Sequence, residues 1–106
     1  MTVDVLGTKY SIEQSNRVDD MCLETCSGYC DRSIKKIVID TFQEAPNSLK
    51  DLGEYKKQVV RHELVHAFLN ESGLVGESWA VNEEIVDWIA CQFPKLLKAF
   101  EDADCI

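Results

Sequence analysis

Val59-Val60-Arg61-His62-Glu63-Leu64-Val65-His66-Ala67-Phe68-Leu69 is apolar almost all round once wound at 3.6 residues per turn, which predicts a buried helix at the centre of the chain. Both of the chain's histidines lie in it, four residues apart. Positions i and i+4 share a helix face with Cβ atoms roughly 5–6 Å apart, so both imidazoles reach one ion. Glu63 flanks that ion without having to bind it, which is the place of a general base for a metal-activated water. The plain alternative is a surface helix whose histidines happen to fall one turn apart. Buried imidazoles need partners, and a metal supplies one to both.

Asn82-Glu83-Glu84-Ile85-Val86-Asp87 opens the next apolar-periodic segment, with Glu83 seventeen residues past His66. Glu83, Val86, Asp87 and Ala90 fall on one stripe of that helix, so Asp87 stands one turn beyond Glu83 and in reach of a histidine ring N–H. Glu84 points about 100° away, toward Trp88 and Cys91, and is the alternative metal ligand; without a metal it is a solvated acid near a helix start.

The two motifs together resemble those of the gluzincin class of zinc metallopeptidases, in which His-Glu-x-x-His is followed by Asn-Glu-x-x-x-Asp/Glu. The resemblance implies zinc bound by His62, His66 and Glu83, one ion per chain, with Glu63 activating water for peptide-bond hydrolysis and Asp87 supporting the site. The layout is similar to that of the small single-domain members called minigluzincins, and it implies an α+β zincin-like domain over residues 1–106: a short antiparallel sheet packed on an active-site helix and a glutamate helix. The larger peptidases of the class present a tyrosine or histidine to the oxyanion. Here no histidine remains, and Tyr10, Tyr29 and Tyr55 all precede the motif. A zinc-binding regulatory module with the same fold and no turnover is therefore the second reading, and a metal-free structural domain the third.

The chain has 106 residues, enough for one small core, and a metal bridging two helices adds to it. A formal net charge of −8 argues against nucleic acid, whose phosphates need clustered Lys and Arg. No segment approaches the roughly 20 apolar residues of a membrane span, and the N-terminus lacks a signal-peptide pattern, so the expectation is a cytoplasmic protein acting on a peptide or protein substrate, away from membranes. Five cysteines do not close into a disulfide framework and fit reduced thiols. Cys22, Cys26 and Cys30 recur at intervals of four, a spacing seen in structural zinc sites, yet a fourth ligand is lacking and Gly28 interrupts the register; small buried thiols are the better reading.

Residues 3–6 and 8–12 read as two strands around Gly7. Asn16 or Asp19 starts a short helix through Met21, Cys22 and Leu23, ended by Ser27 and Gly28. Residues 34–39 form the clearest strand, paired with 28–31 across Arg32 and Ser33. Residues 37–40 offer an edge along which an extended substrate pairs, although Lys35 and Lys36 are typical guards of an exposed edge and an interior strand is the simpler alternative. Residues 45–48 form a loop, and Ser48 with Asp51 makes a capping box for a helix over residues 51–72 that Gly53 weakens at its start. Gly73 ends it as the C′ residue, with Leu74 giving the accompanying contact. Ser78 N-caps the next helix, which Pro94 ends or kinks, and Trp79 and Trp88 pack into the core around it. The tail offers Asp104, Cys105 and a terminal carboxylate to the metal as inhibitors; a frayed, solvated end is the plain alternative.

Overall fold

A computed structural model describes residues 1–42, 50–74, 76 and 78–106. The domain is α+β: a four-stranded sheet and two long helices. Strands β1 (Thr2–Val5) and β2 (Thr8–Ser15) form a hairpin whose turn places Leu6 at φ 51° and Gly7 at φ 89°. Strands β3 (Gly28–Asp31) and β4 (Lys36–Asp40) form the second hairpin. The order is β1-β2-β4-β3, with β2 and β4 parallel, so the sheet is mixed rather than antiparallel throughout. The turn between β3 and β4 is longer than expected and takes in Ile34, which is exposed.

Strand β4 is interior, flanked by β2 and β3, and cannot offer the free edge assigned to residues 37–40. That edge belongs to β3. Ile37 and Ile39 alternate onto the face that meets the first helix, α1 (Leu52–Glu71), where they join Val5, Tyr10, Val59 and Ala67 in the core. Gly28 lies where β3 and α1 come closest: a Cβ there would meet Ile39 Cδ1, Val38 O and Val59 Cγ1, each at 3.0 Å.

Asp51 N-caps α1, its side chain accepting from the Glu54 N–H at 2.9 Å. The expected capping role of Ser48 and the loop over 45–48 lie outside the described residues. At the other end Gly73 adopts φ 79°, and the Gly73 and Leu74 N–H groups donate to Asn70 O and Leu69 O, the Schellman arrangement that the glycine predicts. Glu71 in the last turn accepts from Tyr10 Oη and Lys35 Nζ, both at 2.7 Å, and from Thr8 Oγ1 at 3.2 Å, tying α1 to both hairpins. Tyr10 is fully buried, so Tyr10→Phe isolates one of these links. It is expected to lower stability by about 1 kcal/mol in urea unfolding without changing the slope of the transition.

The short helix near Met21 is a single 3-10 turn, Met21–Glu24, capped by Asp20 rather than by Asn16 or Asp19. Ser78 likewise caps a 3-10 turn, Trp79–Val81, and the second helix, α2 (Glu83–Asp102), is capped by Asn82, whose Oδ1 accepts from the Ile85 N–H at 3.1 Å. Pro94 does not end α2, which continues to Asp102. Helix α2 packs mainly on α1, burying Val86 and Ala90 and leaving Trp79 and Trp88 each 55 % exposed rather than in the core. Among the described residues no helix is long and apolar enough to cross a membrane.

Candidate metal centre

Helices α1 and α2 run antiparallel, so the first turn of α2 meets the middle of α1. The Asn82 cap fixes where that turn begins and sets Glu83 as its first residue. Glu83 Oε2 lies 3.0 Å from His62 Nε2, Glu83 Oε1 lies 3.0 Å from His66 Nε2, and the two Nε2 atoms are 3.2 Å apart. His62, His66 and Glu83 offer ligand atoms all within 4.8 Å of one another. Two nitrogens on a tetrahedral zinc, each about 2.0–2.1 Å from the ion, sit roughly 3.3 Å apart, so the spacing of the imidazoles fits that ion.

Protonation chemistry sharpens the fit. Asp87 Oδ1 lies 2.9 Å from His62 Nδ1, and an ionised carboxylate only accepts, so Nδ1 donates. The neutral ring then turns its Nε2 lone pair toward Glu83, and a lone pair facing a carboxylate oxygen at 3.0 Å is repulsive unless a cation lies between them. A proton or a metal meets that need at His62. His66 can bring a second lone pair to the same point, so the group could hold a metal ion.

Glu63 is 7 % exposed and its Oε1 lies 4.0 Å from His62 Nε2. Burial pushes its carboxyl up to about 7; His62 pulls it down and Glu83 adds to the rise. Glu63 therefore sits beside the ligand atoms without joining them. Glu84 is exposed in the first turn of α2 and is not among the converging residues. One position along the helix turns the side chain about 100° away.

A cleft of about 660 Å³ opens over these groups. One wall is α1, with Tyr55, Gln58, Val59 and Asn70; the other is the loop and edge strand from Cys26 to Cys30. Tyr29 and Tyr55, upstream of the motif in sequence, thus both line the cleft. The Tyr29 hydroxyl donates to Asp20, which together with burial holds its pKa above the usual tyrosine range. The Tyr55 and Ser27 hydroxyls lie 3.0 Å apart. The residues that sequence reasoning passed over, Gln58, Asn70 and this loop, carry no motif; the packing of β3 against α1 brings them together.

Cys22 and Cys26 are exposed and Cys30 is half-buried, so two of the three are not the buried thiols expected. They form no metal-binding group among the described residues. Burial, reinforced by Glu63, pushes the Cys30 thiol up to about 11, which keeps it protonated and a poor ligand. Cys105 stands at the far end of α2, about 30 Å from Glu83 by helical rise. Its N–H and thiol both bond to Phe100 O, in a cap that has Asp104 at φ 56°. The residues past the helix are too few to span that distance, so the structure does not bring Asp104, Cys105 or the chain end to the metal ligands. Comparison with protein-family models, with curated proteins and with solved structures finds no match to this chain.

Proposed function

We propose that this domain is a zinc-dependent metallopeptidase similar to the minigluzincins, with His62, His66 and Glu83 holding one zinc ion. The observation that carries this reading is the convergence of the two Nε2 atoms and the Glu83 carboxylate beside a buried carboxyl, Glu63, at the floor of a cleft. When bound, zinc supplies Lewis acidity and brings the pKa of water toward about 7. Glu63 takes a proton from the attacking water and returns it to the leaving amine, work suited to a carboxyl whose pKa is near 7. Asp87 holds the His62 proton on Nδ1, so that Nε2 stays free to ligate.

The substrate class follows from the wall of the cleft. Gly28, Tyr29 and Cys30 belong to an edge strand, whose outward N–H and C=O groups pair with an extended peptide. The corresponding compartment is a reducing one such as the cytoplasm, in keeping with five free cysteines. The zinc-binding regulatory module without turnover draws on one observation: both tyrosine hydroxyls of the cleft already have protein partners, Asp20 and Ser27.

Turnover decides between the two. Incubation of the zinc-loaded protein with a library of unstructured peptides is expected to give cleavage products by mass spectrometry, and a chelator is expected to stop their formation. Zinc bound at one per chain with no product from any peptide would favour the regulatory module. Protein that takes up no zinc would end both.

A further inference from the structure

Helix α2 carries a proline in its interior, and Pro94 has no N–H to give to the carbonyl four residues before it. That carbonyl is Ala90 O. Its partner comes from the other helix: Arg61 Nε donates to Ala90 O at 2.7 Å. Ala90 is fully buried, and the Arg61 side chain is mostly buried too, its guanidinium lying 4.0 Å from Glu54 at Nη2. An alkyl side chain at 90 larger than a methyl would push the helices apart where this bond forms.

Arg61 to Ala90, His62 to Asp87 and His66 to Glu83 are three rungs of one antiparallel register: each step along α1 goes back along α2. The last two rungs belong to the metal centre. The first does not, and a metal is not needed for it.

We infer that Arg61 is a positioning residue for the metal centre: by filling the hydrogen-bond gap that Pro94 leaves at Ala90, it sets the register that carries Glu83 and Asp87 to the two histidines. This rests on the zinc reading above. A carbonyl freed by proline is turned outward by the ring and costs free energy if buried without a donor. In the register seen here its donor is a charged one, so sliding α2 along α1 loses that bond together with the ligand geometry.

The test is a double-mutant cycle on Arg61→Met and Pro94→Ala, read as zinc affinity by competition with a chromophoric chelator and as thermal unfolding of the metal-free protein. Alanine at 94 restores an N–H for Ala90 O, so the demand on Arg61 disappears. Arg61→Met alone is expected to weaken zinc about tenfold and to lower the metal-free melting temperature by about 5 °C. In the Pro94→Ala background the same change is expected to weaken zinc less than about twofold. Glu54→Gln, which removes only the longer contact of the guanidinium, is expected to leave zinc affinity unchanged.

Equal loss of affinity in both backgrounds would overturn the inference, as would no loss in either while the parent protein binds zinc. A parent that binds no zinc would instead bring down the metal reading, whatever the melting temperatures. If Arg61→Met folds only together with Pro94→Ala, that rescue itself supports the coupling, and Arg61→Gln then supplies the affinity comparison.

Discussion

Glu83→Ala is expected to leave the fold standing and to strip the protein of zinc. Glu83 is well exposed and caps nothing, so the helix loses little by its removal. A zinc ion held as proposed, however, loses the only ligand that α2 would contribute. With free zinc at about a thousand times the parent dissociation constant, binding stabilises the parent by about 4 kcal/mol and the variant by almost nothing. Paired thermal scans with zinc and with chelator read this directly: a large shift for the parent, none for Glu83→Ala. Glu84→Ala is the control and is expected to behave as the parent does. A variant pair in which Glu84→Ala lost the shift and Glu83→Ala kept it would place the ligand one residue further on.

The second large effect concerns Glu63. Its carboxyl has an ordinary value of 4.5 in the unfolded chain and about 7 in the folded one, so between those values the folded chain holds a proton that the unfolded chain has released. Stability of the metal-free protein therefore falls as pH rises across that window and stays low above it. Glu63→Gln keeps the shape and removes the ionisation. At pH 8 the metal-free variant is expected to exceed the parent by up to about 3 kcal/mol, and at pH 4 the two are expected to converge. Urea unfolding at the two pH values checks this; a difference independent of pH would refute the buried ionisation. In the same variant zinc binding is expected to persist and any peptide cleavage to fall by at least about a hundredfold, because the base is gone. Losing activity while gaining metal-free stability is the signature of a residue whose burial serves chemistry.

The elements best read from sequence are those whose causes are local. The His62, Glu63 and His66 spacing, the Gly73 cap and the β1–β2 hairpin each depend on residues within a few positions, and each has the predicted geometry. The convergence of Glu83 on the histidines was legible because a helical stripe fixes the direction of a side chain once its start is known. Errors gathered where tertiary partners decide. Parallel pairing of β2 with β4 passes over β3, which separates them in the sequence but not in the sheet, and nothing in either strand announces it. Trp79 and Trp88 look like core residues by composition, yet α2 packs mainly on α1 and leaves both of them half exposed. Ser78 and Asn82 are equally good caps; a 3-10 turn separates them, and Asn82 took the longer helix.

All four strands lie between Thr2 and Asp40, whereas all three converging ligands come after Arg61. Translation runs at about 5–20 residues per second, so the stretch from Asp40 to Glu83 takes roughly 2–9 seconds to emerge after the sheet. Until α1 has emerged, Ile37 and Ile39 have no helix to cover them, and a sheet with an apolar face is open to association with other nascent chains. Docking of α1 covers that face, and the first turns of α2 add Glu83 and Asp87 to the cleft. A chain stopped short of Glu83 has the sheet and both histidines but not the third of the converging groups.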